Sequence, residues 1–173
     1  SIKFAIASLK LSLKNFLKFV KKPTMQNAKQ MSKAANFAGE AIAISRTTAP
    51  HALSYPFTAH YGLSHGRAVS ITFNEFIRFN YFNKDKSKTK FNINLRFNKL
   101  FKVSNTKNIF EFDKLLKVLK ADSGVALKRG EIDQNKNLIK KILKEINIQR
   151  LKNNPVDLKK EDLKKILFES LRF

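Results

Sequence analysis

The chain has no cysteine. That excludes a disulfide framework, a thiolate metal site and a thiol nucleophile, and leaves His, Asp and Glu as the strong metal ligands. Histidine is itself scarce, with only His51, His60 and His65 in 173 residues. The five glycines form no Gly-x-Gly arrangement, so no dinucleotide phosphate loop of that kind is present. No apolar run approaches the roughly 20 residues that cross a bilayer, and the first residues hold no continuous apolar stretch ending in a small-residue cleavage site. A cytoplasmic, soluble protein is expected. Acidic residues are also few, 13 against 35 basic ones, which gives a formal charge of +22.

Such a charge first suggests a nucleic-acid or anionic-membrane partner, because Lys and Arg neutralise phosphates. The kind of base argues otherwise. Only 7 of the 35 are Arg, the side chain that grips phosphate and guanine with two parallel bonds. Lys, Asn, Phe and Ile together make up 74 of the 173 residues, and all four have A/T-rich codons. Genome base composition accounts for that enrichment more simply than a binding function does. The bases are also spread along the chain, so a solvated lysine surface is expected, with no nucleic-acid and no membrane partner. The remaining alternative is a basic helical module that binds nucleic acid or an anionic membrane. At 43% apolar residues the chain is far from the composition of a disordered one and should fold.

Periodicity reads as helices throughout. Ile2 to Val20 sets Lys3, Lys10, Lys14, Lys18 and Lys21 against Phe4, Ile6, Leu9, Leu13, Phe16 and Leu17, and Pro23 ends it. Gln26 to Ser45 carries Ala34, Ala35, Ala38, Gly39, Ala41 and Ala43 as a small-residue packing face. The next helix begins near Thr47 and Thr48 as caps, has Pro50 in its first turn and Pro56 as a kink, and closes at Gly62. Ser64 to Phe82 fits helical spacing better than strand alternation, and Lys84 to Lys90 is a charged interruption. Phe91 to Phe101, Phe110 to Lys120, Asn135 to Ile148 and Lys160 to Arg172, the last with Asp157 as N-cap, complete an all-α architecture.

The three histidines fall within fifteen consecutive positions. Neutral imidazole is the best ligand this chain has for Fe²⁺ or Zn²⁺. His51 and Tyr55, four apart, share one helix face, and an element returning after the Gly62 turn could bring His65 back to His51. Taken alone, such a pair is more often structural than metal-binding.

The surrounding residues carry a resemblance. Ala49-Pro50-His51-Ala52-Leu53-Ser54-Tyr55-Pro56-Phe57, followed by Tyr61-Gly62-Leu63-Ser64-His65-Gly66-Arg67-Ala68-Val69, resembles the signature of the iron-containing (group III) alcohol dehydrogenases. In that family a helical His precedes, by fourteen positions, a second His in a Pro-His-Gly-x-Ala turn. Ser1, Ala5 and Leu9, the Ala38-Gly39-x-Ala41-Ile42 stretch, and Asn153-Asn154-Pro155 with Glu161-Asp162-Leu163 are similar to further family segments. The resemblance therefore covers essentially all of residues 1–173 as one helical metal-binding domain. Matching is weak around Lys84 to Lys107, and residues 84–107 are expected as a flexible or divergent insertion.

The resemblance implies the helical C-terminal domain of the dehydroquinate synthase-like fold, with His51 and His65 as two of four ligands, one Asp and three His, to a divalent metal. The metal would be Fe²⁺, with Zn²⁺ as the alternative. The family's Asp-x-x-x-His pair and its domain for NAD(H) or NADP(H) lie upstream of Ser1, so a chain missing its N-terminal dinucleotide-binding domain, and inactive alone, is expected. The implied activity is oxidation of an alcohol or reduction of an aldehyde, and the family also allows a homodimer. A non-catalytic remnant is a further alternative.

Two positions depart from the family pattern: Ser64 replaces the usual Pro, with a hydroxyl that could cap the next helix, and Tyr55 replaces an active-site His of several members. His60 has no ligand counterpart and is expected at the surface or beside a ligand. The phrases Ser45-Arg46-Thr47-Thr48-Ala49-Pro50-His51 and Lys152-Asn153-Asn154-Pro155-Val156 look most like the phosphonate branch, whose members reduce phosphonoacetaldehyde to 2-hydroxyethylphosphonate. There Arg46 would hold the phosphonate and Tyr55 would lie near substrate. Arg46 could equally serve only the end of its own helix.

Overall fold

The computed structural model describes residues 1–128, 130–132 and 136–172, with Lys136 described by its backbone alone. Among these residues the fold is all-α, as expected, and the sole strand-like feature is an isolated antiparallel bridge between Ser87 and Val156. The helices are α1 (Ile2–Lys21), α2 (Met25–Ser45), α3 (Ala49–Tyr61), α4 (His65–Phe82), α5 (Ile93–Ser104), α6 (Ile109–Asp122), α7 (Lys136–Glu145), α8 (Ile148–Leu151) and α9 (Lys160–Leu171). No helix of the described residues is long and apolar enough to cross a membrane. The chain divides into two compact units, one of residues 1–46 with 94–124 and the other of 47–93 with 125–173.

In the first unit α1 packs on α2. The lysines of α1 are exposed and its Phe and Leu positions are half-buried, as its amphipathic spacing predicts. Pro23 separates the helices, and Thr24 and Asn27 close the start of α2 reciprocally, each side chain accepting the other's backbone N–H at 3.2 and 2.8 Å. The small-residue face is narrower than its composition suggests. Ala34 and Ala41 are buried and Ala38 is partly so, while Ala35, Gly39 and Ala43 are exposed, because residues one apart on a helix point about 100° away from each other.

Two boundaries and one cap differ from expectation. The helix expected from Phe91 starts at Ile93, since the Thr89 hydroxyl donates to the Phe91 carbonyl at 3.0 Å and holds that residue in a bend. The helix expected over Asn135 to Ile148 ends at Glu145; Asn147 accepts from the Gln149 N–H at 3.0 Å and begins α8. Asn135 lies outside the described residues. Asp157 does not cap α9: it pairs with Lys88, and the cap position falls to Lys159, whose N–H donates to Asp162 at 2.9 Å.

The second unit is built around α3. Ala49, Ala52, Leu53 and Phe57 of this helix are at most 2% exposed and meet Ala68, Ile71 and Phe76 of α4, Leu138 and Ile142 of α7, and Leu163, Ile166, Leu167 and Leu171 of α9. This apolar face of α3 lies inside the unit while Tyr55, Thr58 and His60 are exposed, and the helix is continuous through Pro56. The Asn153-Asn154-Pro155 segment anchors its start. Asn153 donates to the Thr47 carbonyl at 2.7 Å, while Asn154, 1% exposed, donates to Asn80 at 2.8 Å and to the Val156 carbonyl at 2.7 Å. The charged Lys84 to Lys90 segment is pinned to the same place, with the Lys88 N–H on the Pro155 carbonyl at 3.1 Å.

Candidate metal centre

Gly62 ends α3 in the left-handed region, at φ 63°. Glycine adopts that conformation without the Cβ penalty, and residues 62–64 then reverse the chain so that α4 packs back on α3. This turn brings His51, in the first turn of α3, to His65, the first residue of α4. Their ring centroids are 5.3 Å apart with the planes inclined at 60°. Ser64 occupies the N-cap position of α4, but its side chain makes no capping bond, contrary to the role its hydroxyl suggested. Thr48 at the start of α3 likewise gives no side-chain cap.

The pair is supported from both sides. Ser54, fully buried one turn along α3, donates its hydroxyl proton to the His51 carbonyl at 2.8 Å, and its Oγ lies 3.4 Å from Nδ1 of His65. Two residues beyond His65, Arg67 grips Glu131 with both guanidinium nitrogens at 2.5 and 2.6 Å and donates to the carbonyls of Val125 and Ala126. The guanidinium holds the Glu131 carboxyl below its ordinary pKa, chiefly through those hydrogen bonds. Tyr55, half exposed, has its ring centroid 6.1 Å from that of His65, and the Arg150 guanidinium lies over the Tyr55 ring, 4.4 Å from its centroid.

Burial lowers the pKa of His51 from 6.5, and repulsion from His65 lowers it further. Both effects favour the neutral ring, the form that binds metals. The spacing suits a shared ion. With nitrogen about 2.1 Å from a metal, two imidazole centroids fall about 4.5 Å apart for a right angle and about 5.5 Å for 120°, and 5.3 Å lies between. Among the described residues no group of three or more His, Cys, Asp or Glu could hold an ion.

His60 is at the surface and pairs with Glu145 at 2.7 Å, joining α3 to α7. Arg46 belongs to the first unit, where it is exposed and ends α2 at φ 58°, its N–H on the Ile42 carbonyl at 2.7 Å. Sequence reasoning missed Ser54 and Arg150. Ser54 carried a signal, lying three residues after His51 on the same helix face. Arg150 carried none, because the packing of α8 on α3 alone brings it to Tyr55.

A stretch of 51 residues is 41% identical to the phosphonoacetaldehyde reductase of Streptomyces viridochromogenes, covering 30% of this chain and 13% of that protein. The fold is shared with an archaeal halo-thermophilic alcohol dehydrogenase from a Red Sea brine pool, at TM-score 0.83 and 21% identity over 98% of this chain and 44% of that one. It is shared as well with the sulfoacetaldehyde reductase of Bifidobacterium kashiwanohense, solved in complex with NAD⁺, at TM-score 0.80 and 24% identity over 96% and 42%. The chain thus spans less than half of these solved proteins and a smaller part of the curated relative. Residues 3–171 match the family model of the Fe-containing alcohol dehydrogenase family, C-terminal. This chain belongs to that family.

Proposed function

We propose that residues 1–173 form the metal-binding part of an NAD(P)-linked alcohol dehydrogenase or aldehyde reductase, with phosphonoacetaldehyde and 2-hydroxyethylphosphonate as its substrate pair. The approach of His51 to His65, 5.3 Å between rings, carries this reading. Fe²⁺, or Zn²⁺ in its place, would take one nitrogen from each ring, and when bound such an ion polarises a carbonyl or acidifies an alcohol while hydride passes to or from nicotinamide. His51 contributes a ring kept neutral by burial. Tyr55 forms an exposed aromatic edge beside His65. The likeness to phosphonoacetaldehyde reductase supports the substrate class. A cytoplasmic location, a homodimer and the absence of nucleic-acid or membrane partners complete the reading.

The test is cobalt uptake by the 173-residue chain, read from visible absorption. Two imidazoles should bind Co²⁺ weakly and lose it on dialysis, because a lasting site usually needs about four ligands. His51→Ala and His65→Ala should each abolish even the weak uptake. Equal uptake by wild type and both variants would overturn the assignment. Stoichiometric metal surviving dialysis would show that these two rings are not the whole of the site.

A further inference from the structure

Ser54 has one hydroxyl proton and is fully buried between the two histidines. It gives that proton to the His51 carbonyl at 2.8 Å. Its oxygen, 3.4 Å from Nδ1 of His65, therefore has only lone pairs to offer that nitrogen. A lone pair on Nδ1 would face a lone pair on Oγ, whereas an N–H there completes a hydrogen bond. In a neutral imidazole one nitrogen carries the proton and the other is left as acceptor or ligand, and the bond made by the first decides which.

We infer that Ser54 is a positioning residue that fixes His65 as the Nδ1–H tautomer and so leaves the Nε2 lone pair of His65 free to bind a metal. Because the same hydroxyl also bonds the backbone of His51, one buried side chain sets the ring of one histidine against the helix turn that carries the other. The tautomer does not depend on the function proposed above; its consequence for metal binding rests on that reading. Free imidazole side chains favour the opposite, Nε2–H form, so the arrangement is distinguishable from an unconstrained ring.

The experiment is two-bond ¹H–¹⁵N correlation NMR on the 173-residue chain labelled in its histidine rings, at a pH where they are neutral. It is followed by Co²⁺ titration of wild type and Ser54→Ala under excess metal. The wild-type spectrum should show the proton of His65 on Nδ1, and that spectrum alone, independent of how any variant folds, overturns the inference if the proton is on Nε2. In Ser54→Ala the proton should move to Nε2, and cobalt affinity should fall about 10-fold or more, in line with the loss of an outer partner of a metal-binding histidine. A tautomer unchanged by Ser54→Ala, or a moved tautomer with unchanged affinity, would remove the positioning role. Failure of wild type to take up cobalt at all would count against the metal reading and leave the spectrum to decide the tautomer.

Discussion

His51 is subject to two influences of the same sign, loss of water around the ring and the neighbouring ring of His65. Its folded pKa therefore lies below the 6.5 of the unfolded chain. Between those two values the unfolded state binds more protons than the folded one, so stability rises with pH across that window. The contribution is fully present above 6.5 and is lost as pH falls toward the lowered folded value. Urea unfolding at a series of pH values should thus show wild type losing stability on acidification through this window. His51→Gln should lose less, and an identical pH slope for the two chains would contradict the burial argument. Arg67 illustrates a second residue-scale effect: its fork draws Val125, Ala126 and Glu131 to the base of α4. The start of the helix bearing His65 is thereby fixed by residues some sixty positions away, which no local motif in the sequence announces.

At the scale of elements the α3–α4 turn depends on one residue. Gly62→Ala places a Cβ at φ 63°, where there is space around the new atom but the left-handed backbone itself is costly. The expected cost is about 1–2 kcal/mol of stability, measured by thermal unfolding, and an unchanged melting temperature would mean the turn is not held in that conformation in solution. The turn was readable beforehand, as were α1, α2, α3, α4 and α9, because long amphipathic stretches and Pro or Gly at their ends leave a periodic trace. The pairing of His51 with His65 was also readable, since the turn lies between them. Much of what the sequence concealed lies with short polar side chains that choose among competing partners. Thr89 and Asn147 each set a helix boundary by bonding backbone that periodicity ignores, and Asp157 pairs with the Lys88 ammonium instead of capping α9. Ser64 sits where a cap was expected yet leaves the hydroxyl uncommitted to the helix, whereas Ser54, unremarked in a run of apolar residues, lies between both histidines.

For the molecule as a whole, α3 is the element through which damage to the second unit should spread. Leu53→Ala removes a fully buried side chain from the centre of its core and should cost about 2–5 kcal/mol. Chemical denaturation would measure it, and a loss well under 1 kcal/mol would mean the core closes over the gap. The lysine surface predicts the opposite kind of result. Reversing the charge of Lys10, Lys14 and Lys18 on α1 should leave cobalt uptake unchanged, while steep, salt-sensitive binding of wild type to DNA or anionic vesicles, lost in that variant, would favour the basic-module alternative. The turn at residues 62–64 has one further consequence, for folding kinetics. Its two histidines are fourteen positions apart, so bringing the rings together closes a short loop, and even a doubling of that separation would add only about 0.6 kcal/mol. The meeting of the rings is thus a local event in a chain whose α3 core is completed by α7 and α9, roughly ninety to a hundred and ten positions downstream. During refolding, the two imidazoles can come within reach of one another on the timescale of a helical hairpin, well before the more distant helices arrive to hold them in place.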